Sequence, residues 1–370
     1  MKVKVGNRAR HYRTVTFDSR NNAVRLIEQR LLPHSFKIVA LPDYRATAKA
    51  IRDMVVRGAP AIAATAAFGL AQGACAFRGK DLHRFEAHME KVFVALKSAR
   101  PTAIDPVNAM SRIRRLMKTG ASVSECQAIA LREAKTFADE DVEHCRAIGC
   151  EGAKLIRSGA RILTHCNAGW LACVDIGTAT APMYEAQARG TAFHVYCDET
   201  RPRSQGSILT AWELAQQGVS HDVIADNAAG HLMQRGKIDL IITGSDRTLG
   251  RTGEVANKIG TYTKAVLAQR HGIPFYVAIP LSTIDWDLRD GMEIPIEERD
   301  RNEVMGAWGL TKRGTRDYVL VGNAMSSAQN PAFDVTGPDL ITGIITPVGI
   351  FKPKDLWRNR TRLEYRDEDE

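Results

Sequence analysis

Two stretches decide the fold: Gly159-Ala160-Arg161-Ile162-Leu163-Thr164-His165-Cys166-Asn167-Ala168-Gly169 and Ala192-Phe193-His194-Val195-Tyr196-Cys197-Asp198-Glu199-Thr200-Arg201. Each is a short apolar run that ends in a burst of polar residues. Helical patterning comes after both, to about residue 188 after the first and over 209–217 after the second. The strands are expected at 162–164 and 192–197. The same grammar continues at 223–225, 240–243 and 275–278, with a helix expected from about 256 to 270 before the last. Apolar strands alternating with helices predict a parallel sheet covered on both faces and joined by right-handed crossovers, a Rossmann-like open layer. Ligands of such sheets bind beyond the carboxyl ends of the strands, so function is expected there.

The first half reads differently. From residue 46 to about 157 the periodicity is helical: Ala48, Ile51 and Val55 space one apolar face, and 92–96, 113–117 and 128–137 carry others. A short β meander at 14–17, 24–27 and 36–39 precedes them. The expectation is an α/β chain with a smaller, mainly helical N-terminal domain over 1–150, a Rossmann-like parallel-sheet domain over 151–358 and a charged tail over 359–370. A length of 370 residues, beyond what one hydrophobic core usually serves, agrees with two domains.

Composition bounds the function. With 44% hydrophobic and 25% charged residues, Gly 29 and Pro 14, the chain is neither collagen-like, low-complexity nor disordered. Lys+Arg 51 against Asp+Glu 42 gives a net charge of +9, which suits an anionic ligand. A nucleic-acid protein should gather aromatics beside its basic residues. Aromatics are only 6%, and the basic clusters sit at the ends: Lys2, Lys4, Arg8, Arg10 and Arg13, then Lys352, Lys354, Arg358, Arg360 and Arg362. These read as solvated faces, with a weak phosphate-backbone contact as the alternative, and no nucleic-acid partner is expected. Seven irregularly spaced cysteines without a secretory signal point to a reducing cytoplasm. The apolar stretch 59–70 reads as too short for a bilayer, so no membrane is expected. His144, Cys145, Cys150, His165 and Cys166 close no four-ligand set, so buried thiols rather than a metal are expected.

The residues at the strand ends are chemically rich. His165-Cys166-Asn167 comes after the first strand, Asp198-Glu199-Thr200-Arg201 and then Gln205 after the second, and Ser245-Asp246-Arg247, leading to Asn257-Lys258, after the fourth. A thiol, a carboxylate, an amide and an ammonium converge. Cys166 is expected just before a helix N-terminus, where peptide dipoles favour the thiolate; the alternative is a small buried hydrophobe. Asp246 reads equally as a turn carboxylate paired to Arg247. Lys258 at a helix start opposes the dipole, a mismatch an anion would repair. Arg57-Gly58-Ala59-Pro60-Ala61-Ile62 opens an Ala-rich helix where free N–H groups and a forked guanidinium can cradle phosphate, or it is a turn between helices. Arg100 is either a surface residue or a phosphate partner.

Together these strings resemble the methylthioribose-1-phosphate isomerases, within the family that also holds the regulatory subunits of the initiation-factor-2B exchange factor. The resemblance runs through Leu31-Leu32-Pro33-His34, Met54-Val55-Val56-Arg57-Gly58-Ala59-Pro60-Ala61-Ile62, Leu163-Thr164-His165-Cys166-Asn167-Ala168-Gly169, Glu199-Thr200-Arg201-Pro202 and Gln205-Gly206. Its most specific parts are Val255-Ala256-Asn257-Lys258-Ile259-Gly260-Thr261-Tyr262, Gly272-Ile273-Pro274-Phe275-Tyr276-Val277-Ala278, Pro280-Leu281-Ser282-Thr283-Ile284-Asp285 and Ile294-Pro295-Ile296-Glu297-Glu298-Arg299.

The resemblance implies a small N-terminal domain on a Rossmann-like one, a homodimer, and no metal or nucleotide cofactor. It implies Cys166 and Asp246 as a catalytic pair, with Arg57, Gly58, Ala59, Arg100, Gln205, Asn257 and Lys258 holding a phosphosugar. The activity implied is conversion of 5-methylthioribose 1-phosphate to 5-methylthioribulose 1-phosphate in methionine salvage. Isomerisation of 5-deoxyribose 1-phosphate or ribose 1,5-bisphosphate, and a non-catalytic regulatory subunit, are the alternatives. The presence of both Cys166 and Asp246 favours an enzyme. In the expected mechanism a partly desolvated Asp246 protonates the ring oxygen and Cys166 handles the proton on C2. Two departures from the family stand out: the loop after Asp246 is one residue longer, and Trp170 is expected to place an indole in the pocket wall.

Overall fold

The computed structural model describes residues 1–6, 8–100 and 105–364. Residues 365–370 of the expected charged tail lie outside them. By its contacts the chain divides into two compact units, Met1–Arg146 with Gly169–Gly177, and Ala147–Ala168 with the chain from Thr178 onward.

In the first unit β1 (Lys2–Val5) and β2 (Arg8–His11) form a hairpin, and β3 (Val15–Asp18), β4 (Ala23–Ile27) and β5 (Ile38–Leu41) form the antiparallel meander, with Phe17 opposite Val24 and Leu26 opposite Val39. The helices are α1 (Tyr44–Arg52), α2 (Ala59–Ala76), α3 (Leu82–Lys97), α4 (Asp105–Met117) and α5 (Val123–Ala153), the last running on into the second unit. α1 begins where the Asp43 carboxylate accepts the N–H groups of Arg45 and Ala46. α2 is the central core helix. Its small residues admit close neighbours: a methyl at Gly69 or Gly73 would strike Leu96 or Val92 of α3. The sequence pattern makes 59–70 too short for a bilayer. The helix in fact has 18 residues and is apolar enough by composition to cross one, but 78% of it is buried, as in a core helix.

The second unit contributes β6 (Ala160–Thr164), β7 (Phe193–Asp198), β8 (His221–Ile224), β9 (Leu240–Thr243), β10 (Arg247–Leu249), β11 (Val255–Lys258), β12 (Phe275–Ala278), β13 (Ile284–Asp285), β14 (Gly306–Leu310), β15 (Arg316–Leu320), β16 (Phe333–Thr336), β17 (Gly343–Thr346) and β18 (Gly349–Phe351). Among its helices are α6 (Ala181–Ala188), α7 (Ala211–Gln217), α8 (Ala228–Gln234) and α9 (Thr261–Arg270). A seven-stranded sheet runs β18-β17-β12-β9-β6-β7-β8, parallel except for the edge strand β18. Read from β8, its parallel strands are the third, second, first, fourth, fifth and sixth in the chain. That is the Rossmann order, and its direction of winding reverses between β6 and β9. β9 and β17 are buried along their whole length, which is why they carry apolar runs without alternation.

Two expected helices are corrected. Residues 255–258 are not the start of a helix but β11, because Val255 and Ala256 pair with Thr336 and Val335 of β16; α9 begins only after Gly260, at φ +101°. The helix expected just after Cys166 begins at Ala181. The chain between makes a 3-10 turn at Trp170–Ala172, and its backbone is held by side chains instead. Thr14 Oγ1 donates to the Trp170 carbonyl (2.8 Å), Gln29 Nε2 donates to the Leu171 carbonyl (2.8 Å), and the Val174 N–H donates to Asp141 (2.7 Å). Trp170 itself is fully buried, so its indole is a core side chain and not the pocket wall expected from the sequence.

Candidate active site

Cys166 stands two residues past the end of β6, and Asp246 three past the end of β9. These strands are hydrogen-bonded neighbours, level at Leu163 and Ile241, so both residues emerge on the same edge of the sheet at the reversal of strand order. Their loops touch: a methyl on Gly244 would lie 2.4 Å from the Ala168 Cβ.

Cys166 is buried, at 7% exposure, and its backbone is left-handed, φ +63°. A non-glycine residue there costs about 1 kcal/mol or more and persists where neighbours over-determine it. The neighbours are present. The Cys166 N–H donates to Thr200 Oγ1 (2.8 Å), and Thr210 Oγ1 donates to the Cys166 carbonyl (2.7 Å). Thr200, two residues past β7, is itself at φ +62°, and the Asp226 carboxylate accepts its N–H and that of Arg201. A sharp left-handed turn directly after a strand lifts a side chain off the sheet edge, as nucleophile elbows do. The helix-dipole argument for Cys166 fails, since no α-helix begins between Cys166 and Ala181. The strained turn and its threonine partners position the thiol.

Asp246 differs from the expectation of partial desolvation, for it is exposed. Its N–H donates to the Ala256 carbonyl (3.0 Å), which fastens the start of β10 to β11. The longer loop after it is therefore the β10–β11 hairpin, inside a four-stranded sheet β13-β10-β11-β16, rather than a free lid. Arg247 pairs with Asp285 (3.3 Å). β11 brings Asn257 and Lys258 to the same hairpin, both buried. Asn257 Nδ2 donates to Thr261 Oγ1 (2.9 Å), while Lys258 Nζ donates to the Ala332 carbonyl (2.8 Å) and lies 4.3 Å from the centre of the Phe333 ring. The expected clash of Lys258 with a helix dipole does not arise, because it ends a strand. Gln205 is buried at 5% exposure with an Oε1 that has no partner, an acceptor a ligand hydroxyl can fill.

The other expected residues belong to the first unit. Gly58, at φ +89°, precedes α2 and no side chain caps the helix; Pro60 sits in its first turn. A Cβ on Gly58 would meet the Ala172 backbone at 2.4 Å, so only glycine fits. Arg57 and Ala59 flank it, half-buried, and Arg100 lies half-buried just beyond α3. An uncapped helix start leaves backbone N–H groups without intrahelical partners.

The sequence marks His165, Asp198 and Thr200 as strand-end residues and assigns them no role. In the structure His165 Nδ1 lies 2.8 Å from Asp198 Oδ2, and Lys264 Nζ 3.3 Å from the same oxygen, all three buried. Their strand-end positions were the available signal; nothing in the sequence singled out Lys264, a residue inside α9. Asp334 closes the cluster, accepting the Gly260 N–H (2.6 Å) and the Tyr262 N–H (3.1 Å), with its pKa raised because burial outweighs those bonds. Among groups that could hold a metal, His165, Asp198 and Asp226 come together, as do Asp141, Cys145 and Cys173. Burial pushes the Cys145 thiol well up, and the Asp141 carboxyl to about 7.

Residues 55–353 match the model of the initiation factor 2 subunit family. A methylthioribose-1-phosphate isomerase of Rhizobium meliloti (strain 1021) is 48% identical over 361 residues, 95% of this chain and 96% of that protein. The crystal structure of 5-methylthioribose 1-phosphate isomerase from Pyrococcus horikoshii OT3 superposes with TM-score 0.83 at 42% identity, covering 96% of each chain. That of translation initiation factor eIF-2B, subunit delta, from A. fulgidus gives 0.81 at 37% identity, covering 95% of this chain and 99% of the other.

Proposed function

We propose, from the premise that this chain belongs to the initiation factor 2 subunit family, that it isomerises 5-methylthioribose 1-phosphate to 5-methylthioribulose 1-phosphate, with Cys166 and Asp246 as its catalytic pair. The observation that carries the assignment of the pair is their emergence on touching loops at the switch point of the sheet. Arg57, Gly58, Ala59 and Arg100 are proposed to hold the phosphosugar, as are Gln205, Asn257 and Lys258. Homodimer formation and a cytoplasmic location belong to the same proposal.

The substrate is a closed ring whose anomeric oxygen carries phosphate, so the ring must open at C1. In the proposed route Asp246 donates a proton to the ring oxygen as its bond to C1 breaks, and that oxygen leaves as the C4 hydroxyl. Cys166 takes the proton from C2, giving an enol phosphate. The C2 hydroxyl then loses its proton and C1 gains one, leaving a ketone at C2 and no net change in atoms or electrons. Because Asp246 is exposed, the desolvation that favours its protonated form has to come from bound substrate. A direct C2-to-C1 hydride shift is the competing route, in which Cys166 shapes the pocket. Turnover in D2O separates them: solvent deuterium at C1 of the product supports the proton route, and a C2 label carried wholly to C1 opposes it.

A second reading, a non-catalytic regulatory subunit, draws on the likeness to the A. fulgidus protein. Purified protein assayed on 5-methylthioribose 1-phosphate, 5-deoxyribose 1-phosphate and ribose 1,5-bisphosphate decides among these. Fastest turnover of the first is expected; inertness toward all three would leave the regulatory reading.

A further inference from the structure

We propose that His165, buried between Asp198 and the Ile259 carbonyl, forms with Asp198 and Lys264 the positioning device that fixes Cys166 in its left-handed turn. Its consequence for turnover rests on the reading of Cys166 as catalytic.

His165 is 1% exposed and both of its ring nitrogens face oxygen. Nε2 lies 2.9 Å from the Ile259 carbonyl, which can only accept, so Nε2 carries hydrogen. Nδ1 lies 2.8 Å from Asp198 Oδ2. The same oxygen also lies 3.3 Å from Lys264 Nζ, so one carboxylate oxygen gathers both basic groups.

The groups around the ring come from each packed element: Asp198 from β7, Lys264 from α9, Asp226 from the loop after β8, and Asp334 from β16. Gly260 makes room for this, since a methyl there would stand 3.2 Å from both the imidazole and the Lys264 ammonium. The result is a double stitch between neighbouring strand ends. His165 ties to Asp198, and one residue later the Cys166 N–H ties to Thr200 Oγ1, which itself donates to the Asp198 carbonyl (3.1 Å). A left-handed cysteine lies inside that stitch, so loosening the His165–Asp198 half frees the turn.

The test uses the intact protein. Asp198→Asn is expected to lower kcat about tenfold or more with KM within about threefold, the signature of lost positioning rather than lost binding. In parallel, the pH profile of Cys166 alkylation by iodoacetamide, read by peptide mass spectrometry, should move in Asp198→Asn and in Lys264→Met. Profiles and kcat that superpose on those of the unaltered enzyme overturn the positioning role. A fully active Cys166→Ser protein would overturn the catalytic reading instead, and the alkylation profiles of Asp198→Asn and Lys264→Met would still decide the positioning role.

Discussion

The strand-end loops of the second unit and the helix start of the first, both proposed to serve a phosphosugar, are built from opposite materials. Around Cys166 the polar atoms are side chains, buried and paired: His165 with Asp198, Thr200 and Thr210 with the cysteine backbone, and Asn167 Nδ2 with Glu213 Oε1 at 2.8 Å. Around Gly58 they are backbone, an uncapped helix start fitted against the chain at Ala172, with Arg57 and Arg100 in the same unit. Side chains under strain and in fixed geometry suit bond-breaking, where placement within a fraction of an ångström governs rate. Backbone N–H groups and guanidinium suit the recognition of a charge that does not change during the reaction. The contrast predicts that damage to the first set appears in kcat and damage to the second in KM.

The largest effect is expected from Cys166→Ser, a loss of about 10³-fold in kcat with substrate still bound, measured by steady-state kinetics and a binding titration. Near-normal turnover would break the comparison. Asp246→Asn keeps shape and removes the proton donor; a fall of about 10²-fold in kcat is expected, and a change confined to KM would move Asp246 to the recognition side.

Asp141 sharpens the contrast from within the first unit, where a buried group should govern stability rather than chemistry. Its carboxyl keeps a proton to about pH 7 when folded and releases it near pH 4 when unfolded, so stability is greatest below the unfolded value and declines as pH rises toward 7. Asp141→Asn retains an oxygen for the Val174 N–H and should abolish that decline, gaining on the order of 2 kcal/mol relative to the unaltered protein between pH 4 and pH 8 with little change in kcat. Parallel denaturation curves for the two proteins at both pH values would refute this. The smallest effect is assigned to Arg57→Ala: a rise in KM of about tenfold with kcat within a factor of three. A kcat collapse there would erase the division of labour.

Much of this was legible before folding, and for identifiable reasons. The apolar runs ending in His165-Cys166-Asn167 and Asp198-Glu199-Thr200 marked β6 and β7 because strands buried on both faces need no alternation. Gly58 and Pro60 marked the start of α2 through their backbone preferences. The hidden part depends on long-range pairing. Val255–Lys258 became a strand because β16, some eighty residues later, supplies its partner. The sixth parallel strand, Gly343–Thr346, went unseen, and with it the full strand order that singles out the β6–β9 reversal. The exposure of Asp246 and the place of Lys264 beside Asp198 depend on what surrounds them in three dimensions, which local pattern does not encode.

Substrate protection of Cys166 tests the central claim most directly. The enzyme is treated with iodoacetamide over a range of 5-methylthioribose 1-phosphate concentrations, and labelling of Cys166 is tracked with residual turnover. Loss of activity in step with Cys166 labelling, slowed by substrate in proportion to occupancy, is the predicted result; an enzyme fully labelled at Cys166 that still turns over at its original rate would contradict it.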